Sequence, residues 1–276
     1  MVKDGIIGFG LADPFYEGHG FTSTGRHFPR NVVGRLGLYF ARHHYIYEVS
    51  QAVAAGSVVI EIGCGGGSRY FASCYDMLGV DVSATSVRHA ARVYSSVVQG
   101  TVAELPVADG CVDAIISSYV IEHLGDDVVD RCLAEMGRVL RPGGLMVHCF
   151  DVDGIGPFQQ WARRQAWYQD IFVKSRGHFG LRSEEEWRGL FAKADFEIRA
   201  RWLFCKTWLQ DLSIWAALDD PMVTGLPRLL GRAAATTRRA TGWAPDVIVT
   251  LIDDWLDRWL PDRWATKVIM RLQKLS

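Results

Sequence analysis

The chain has 276 residues, a formal net charge of -1 and a hydrophobic share of 49%. That length buries a large core, in one elaborated domain or in two, and the near-zero charge leaves no electrostatic footprint for nucleic acid or an anionic membrane. No apolar run approaches the roughly 18 residues that span a bilayer, and six cysteines without a Cys-x-x-Cys pair, behind an N-terminus with no basic-then-apolar leader, predict a reduced cytoplasmic protein with no cysteine metal site.

Residues 1–37 mix glycine, aromatic and polar residues, as in Phe15-Tyr16-Glu17-Gly18-His19-Gly20-Phe21. They read either as an unstructured terminus or as a lid, and His19 and His27 would reach a site only through such a lid. A helix is predicted over 38–55, stopped by Gly56, and its His43-His44 pair reads as structural. Val58-Val59-Ile60-Glu61-Ile62 then has the aliphatic run of a strand buried on both faces. Gly63, Gly65 and Gly67 follow as a turn in which a ligand can touch bare backbone, and a helix starts near Ser68 with its free N–H groups aimed at that turn. Met77 to Asp81 forms a second strand, and Asp81 stands at the offset from which a carboxylate grips a ribose diol.

Ser83 caps the next helix, Val97-Val98 is a short third strand, and Asp113 to Ser117 is a fourth. Asp126 or Asp127 is expected to cap a helix with the stripe Val129, Cys132, Leu133, Met136 and Leu140, before a fifth strand over 145–150. Strands alternating with helices predict a parallel sheet. Phe158, Trp161, Tyr168 and Phe172 suggest an aromatic helix, and Ser183 with Glu186 makes a capping box. A sixth strand is expected over 196–204 and a last one towards 268–274.

Between them, 205–262 reads as helical. Its clearest helix is 246–260, with Val247, Ile248, Leu251, Ile252, Trp255, Leu256, Trp259 and Leu260 on one face and Asp253, Asp254 and Asp257 on the other. An acidic outer face suits solvent rather than anionic lipid, so its tryptophans are expected to be buried. Arg228, Arg232, Arg238 and Arg239 before it read as a solvated face or as a grip for a phosphate. All ten tryptophans lie between Trp161 and Trp264, which sets a lean α/β half against an aromatic half.

The glycine turn departs from a dinucleotide cradle. The third glycine of G-x-G-x-x-G would fall at Ser68, and Glu61 brings a carboxylate to the place of a pyrophosphate. A cationic or zwitterionic ligand fits better. With 58–67, Val80-Asp81-Val82-Ser83, 100–107, 113–124 and Leu140-Arg141-Pro142-Gly143-Gly144 in order, the chain resembles a class I S-adenosylmethionine-dependent methyltransferase of the small-molecule type over roughly 38–150.

The resemblance implies a Rossmann-like α/β fold with a seven-stranded sheet. The sheet is mostly parallel, with an antiparallel last strand between the fifth and sixth. Helical lid insertions complete the layout: an N-terminal lid segment at 1–37, a cofactor core at 38–150, a lid at 151–180, core again at 181–204, a helical lid at 205–262 and the last strand at 263–276.

It also implies roles. Gly63, Cys64, Gly65 and Gly67 would leave room for the methionine moiety of S-adenosyl-L-methionine, with Glu61 near its amino end and Ser117 and Ser118 bordering it. Asp81 and Val82 would lie at the ribose, and Thr101, Val102 and Ala103 would flank the adenine. Thr101 stands where the family has an acid, and Glu104 is the nearest substitute.

Methyl transfer from a sulfonium is an in-line displacement that often needs a base at the acceptor. The catalytic candidates are His123, which otherwise only caps or packs, and His178, which otherwise lies in a solvated loop. Asp151 and Asp153 could hold a metal, but capping or solvation is the preferred reading and no metal site is expected. The expected reaction is O-methylation of a small or medium organic acceptor in secondary metabolism, one that is aromatic, glycosylated or lipid-linked, with the oligomeric state open. C- or N-methylation, cofactor binding without transfer, and a nicotinamide enzyme remain as alternatives.

Overall fold

In the computed structural model, residues 41–207, 209, 212–241 and 244–275 are described, with backbone only for 41–43 and 244–247. The expectations for residues 1–37, His19 and His27 included, lie outside them. The chain runs through α1 (Ala41–Ala52), β1 (Val58–Ile62), α2 (Arg69–Cys74), β2 (Asp76–Asp81), α3 (Ala84–Ala90), β3 (Ser96–Gln99) and β4 (Val112–Ser118). After a 3-10 turn at Ile121–His123 come α4 (Val129–Val139), β5 (Leu140–Asp151), α5 (Pro157–Arg163), α6 (Glu184–Lys193) and β6 (Phe196–Phe204). Then follow α7 (Leu212–Ala216), α8 (Gly225–Thr241), α9 (Ala244–Asp257) and β7 (Lys267–Lys274).

The strands form one seven-stranded sheet in the order β3-β2-β1-β4-β5-β7-β6. β7 is antiparallel to both β5 and β6, and the other neighbours are parallel. The expected sheet is therefore the observed one. Its two faces carry separate cores. One gathers Ile60, Ile115, Met136, Phe150 and Trp187, and the other gathers Val49, Val59, Phe71, Met77 and Ile116. A third cluster, with Trp167, Tyr168, Ile171 and Leu218, sits among the insertions.

Local signals hold at several ends. Ser68 and Ser83 cap α2 and α3 through their side-chain oxygens. Ser183 and Glu186 form the capping box of α6. Two expectations change. α4 starts at Val129 behind Val128, which offers no side-chain cap, and Asp126 pairs with Arg182 at 2.5 Å instead. The aromatic helix of 158–172 breaks after α5, and a π-helical turn at Gln169–Val173 and a 3-10 turn at Lys174–Arg176 carry the chain onward.

The larger change is α9, which is turned inside out. Trp255 and Trp259 are 60% and 78% exposed, with Ile248 and Ile252 beside them, whereas Asp253 is 0% exposed and Asp257 is buried. The reason lies in the segment after β6. Its Thr207 hydroxyl donates to Asp253, and the Lys206 N–H donates to Asp257 Oδ1 at 2.8 Å. Donors from a distant segment draw the polar face inward, and periodicity alone does not contain them. Among the described residues, no helix is long and apolar enough to cross a membrane.

Candidate active site

The donor side is built where β1 and β2 end. Gly63, Gly65 and Gly67 all have positive φ, at 60°, 53° and 78°. A Cβ on Gly63 would lie 2.3 Å from Val120 Cγ2, so backbone freedom and space both demand glycine there. Asp81 is buried, and each of its carboxylate oxygens accepts one backbone N–H, Oδ2 from Gly65 at 2.9 Å and Oδ1 from Ser83 at 2.8 Å. Burial raises its pKa and these two amides lower it. Two amides orient the carboxylate and leave further lone pairs on it for a diol.

Glu61, also buried, is held by Tyr94, whose hydroxyl donates to Glu61 Oε2 and accepts the Ser68 N–H at 2.8 Å. Tyr94 thus ties the strand-tip acid to the start of α2. Sequence reasoning did not single it out, since its role depends on tertiary approach across the βαβ unit. Cys64 is buried against Gly79, where a Cβ would meet its Sγ at 2.9 Å. Gln99 Nε2 donates to the Val82 carbonyl at 3.1 Å, and the Ala103 N–H donates to Thr101 Oγ1 at 3.3 Å beside buried Val102. Ser118 is half-buried, and Glu104 is exposed. Ser117 turns away into the core: its Oγ lies 2.7 Å from His148 Nδ1, and both residues are fully buried.

A second group of polar residues lies where β4 and β5 end. Tyr119 leaves β4 in a left-handed backbone conformation, φ 59°, uncommon for a residue with a Cβ. Its ring lies under the Lys267 ammonium at 4.5 Å. Lys267 opposes Asp151 in the β5–β7 register and donates to its Oδ1 at 2.7 Å. His178 Nε2 approaches Asp151 Oδ2 at 3.6 Å, and the His178 and His123 rings are 5.3 Å apart. His123 Nδ1 lies 2.7 Å from the Gly177 carbonyl. Glu122 is fully buried behind them, and its Oε1 accepts the Asp151 N–H at 3.4 Å.

Burial lowers the pKa of His178 to about 4 against the opposing pull of Asp151, and burial likewise lowers that of His123. Burial raises Glu122 well above the carboxylate range, with the Asp151 charge adding to it. For Asp151 burial acts upward, and the Lys267 ammonium beside it leads the groups that bring its pKa below the ordinary value. The group thus sets an ion pair beside two imidazoles pushed towards their neutral form and a Glu122 carboxyl pushed towards its protonated form.

Both expected catalytic histidines therefore meet, although 55 positions separate them in the chain. The loop that carries His178 is seated by Gly180, whose N–H donates to the Glu122 carbonyl at 2.9 Å and whose added Cβ would lie 2.0 Å from the Leu124 carbonyl oxygen. Asp151 and Asp153 do not share a metal site, because Asp153 is engaged by Arg163 while Asp151 faces Lys267. Glu122, His123 and His178 do offer one oxygen and two nitrogens within 4.8 Å of one another, with the Lys267–Asp151 ion pair alongside. Of the histidines expected to be structural, His44 packs on Trp202 at 5.1 Å between ring centres.

Sheet order, glycine turn and buried second-strand acid together define the Rossmann-like fold of class I S-adenosylmethionine-dependent methyltransferases. A methyltransferase-domain family model matches residues 60–148. A probable S-adenosylmethionine-dependent methyltransferase of Mycolicibacterium smegmatis is 36% identical over 114 residues, 40% of this chain and 44% of that protein. A malonyl-(acyl-carrier protein) O-methyltransferase of Pectobacterium atrosepticum is 31% identical over 105 residues, 36% of this chain and 41% of that protein. The matched stretch spans less than half the length of these relatives.

Among solved structures, the 4+2 cyclase SpnF aligns with a TM-score of 0.56 at 16% identity, over 95% of this chain and 92% of that one. A putative methyltransferase from Bacillus halodurans aligns at 0.55 and 14% identity, over 84% and 99%. Both show the fold. The cofactor of the family is S-adenosylmethionine, and the residues present fit it: a turn bare of side chains, and a buried carboxylate pre-oriented by two amides.

Proposed function

We propose that the chain transfers a methyl group from S-adenosylmethionine to a small or medium organic acceptor, with a hydroxyl oxygen as the receiving atom. The observation that carries this reading is the group His123, His178, Asp151 and Lys267 at the ends of the strands next to the glycine cradle. Gly63, Cys64, Gly65, Gly67 and Glu61 would receive the methionine moiety. Asp81 and Val82 would lie at the ribose, Thr101, Val102 and Ala103 at the adenine, and Ser118 beside the methyl. Ser117 supports this edge indirectly through His148.

When bound, the cofactor supplies an electrophilic methyl on a sulfonium. This chain's own residues orient the acceptor and manage its proton. Neutral His178 has a lone pair to take that proton, and Asp151 beside it stabilises the imidazolium that results. Lys267 holds Asp151 ionised, and His123 packs against His178. The buried setting excludes water from the transfer. The acceptor class favoured is aromatic, glycosylated or lipid-linked, since aromatic insertions flank the site. Nucleic acid is disfavoured by the charge.

The test uses methyl-labelled cofactor with a panel of phenols, glycosides and lipid-linked alcohols, followed by product analysis. A labelled methyl ether supports the reading. A carbon- or nitrogen-bound label overturns O-transfer. His178→Gln should lower kcat at least tenfold while leaving S-adenosylhomocysteine affinity unchanged, and unchanged kcat removes His178 as the base. The second reading, cofactor binding without methyl transfer, draws on one observation: a protein of this fold is named as a cyclase. Cofactor binding with no turnover across the panel favours it.

A further inference from the structure

Three carboxylates of α9 form a second cluster far along the chain from the cofactor cradle. Asp253, Asp254 and Asp257 each offer an oxygen, and these oxygens lie within 4.8 Å of one another. Acids grouped on one helix are ordinary on a surface. Two of these are not on a surface, since Asp253 is 0% exposed and Asp257 is 7% exposed, with Asp254 half-buried between them.

A buried carboxylate needs donors or a cation. Thr207 and the Lys206 N–H satisfy Asp253 Oδ1 and Asp257 Oδ1. The second oxygens, Asp253 Oδ2 and Asp257 Oδ2, are buried and accept no hydrogen bond. The neighbouring Lys206 ammonium does not answer them. An ammonium has three donors, and Lys206 Nζ spends them on the Asp257 carbonyl at 3.1 Å, the Leu260 carbonyl at 3.1 Å and Asp262 Oδ1 at 2.8 Å. Lys206 caps the end of α9, and its charge acts on Asp257 without its donors reaching the two orphaned oxygens.

We propose that Asp253, Asp254 and Asp257 form a calcium site that clamps α9 to the segment following β6. The donor set is all oxygen, which selects hard cations over zinc or copper. Calcium–oxygen bonds of about 2.4 Å reach oxygens up to about 4.8 Å apart, whereas magnesium, at about 2.1 Å, needs a tighter and strictly octahedral set. The cation would accept the two orphaned oxygens directly, with half-buried Asp254 open to solvent for the remaining ligands. It would fix the insertion that lies between β6 and β7, and so the posture of the aromatic region flanking the acceptor side. The sequence reading expected no metal, and the orphaned oxygens are the reason to depart from it.

The test is calorimetry on the full chain, first treated with chelator and then titrated with CaCl2 and, separately, MgCl2, with thermal unfolding in parallel. Saturable one-site heat with calcium and a raised unfolding midpoint support the site. Asp253→Asn/Asp257→Asn should abolish both responses, while its calcium-free form unfolds no earlier than calcium-free wild type, because two buried carboxylates that repel each other are gone. Should that variant fail to fold, Asp254→Asn, at a half-exposed position, should weaken calcium binding roughly tenfold. His178→Gln should bind calcium as wild type does. Absence of saturable heat, saturation by magnesium alone, retained binding in the aspartate variants, or loss of binding in His178→Gln would each overturn the proposal.

Discussion

The cofactor cradle and the insertion between β6 and β7 both bury carboxylates, under opposite arrangements. At the cradle, Asp81 takes its donors from the Gly65 and Ser83 amides, both within the βαβ unit and fixed by the turns that begin α2 and α3. In α9, Asp253 and Asp257 depend on Lys206 and Thr207, and one oxygen of each stays unanswered. The contrast teaches that a buried acid supported by its own turn is a finished binding element. One supported from a distant segment is a seam, stable to the degree that the seam is filled.

Four measurements sharpen or break that contrast. The largest effect is expected at Trp187, fully buried in the core of the cofactor half and covered by the Arg182 guanidinium at 5.1 Å. Trp187→Ala should cost about 3–5 kcal/mol in chemical denaturation. A loss under about 1 kcal/mol would show that this half is not the rigid one. Next, Asp81→Ala should weaken S-adenosylhomocysteine binding by about 2–3 kcal/mol, through loss of charged hydrogen bonds. Calorimetry reads it, and an unchanged affinity would place the ribose elsewhere.

A third effect concerns pH. Burial lowers the His148 pKa from the ordinary 6.5 to about 3. The unfolded chain therefore takes up its proton first, and His148 contributes stability above pH 6.5 that is lost as pH falls towards 3. Between pH 7 and pH 5 this single group should remove on the order of 2 kcal/mol. His148→Gln should flatten the denaturation-versus-pH slope by that amount, and an unaltered slope would mean the imidazole is not held neutral. The smallest effect is expected at Trp259, 78% exposed just past the end of α9. Trp259→Ser should move stability by no more than about 0.5 kcal/mol. A loss beyond about 2 kcal/mol would show that the stripe is covered in solution and that the two halves are more alike than described.

Much of the cofactor half was legible because its determinants are local. Glycine spacing, a serine cap and an aliphatic run each act within a few residues, and the strand order follows from the family resemblance they support. The acceptor side was legible only in pieces. His123 and His178 could be named, but Lys267 reaches Asp151 through antiparallel register between β5 and β7, which no short window contains. Tyr94 was missed for the same reason, and the turn of the Ser117 hydroxyl towards His148 was not legible, since which face of β4 meets that ring depends on the neighbouring strand. α9 was inverted because amphipathic periodicity finds two faces without saying which one meets partners.

The place of β7 has a consequence for how the molecule assembles. β5 and β6 touch only through it, pairing with its two edges, and residues 205–266 must be synthesised after β6 before it arrives. During translation the parallel strands β1 to β5 can pair as they emerge, while β6 waits with both edges open. The sheet is finished by insertion of a late strand into a gap, so the half built on β1 to β5 can take shape early and the ion pair of Asp151, which needs Lys267, closes last.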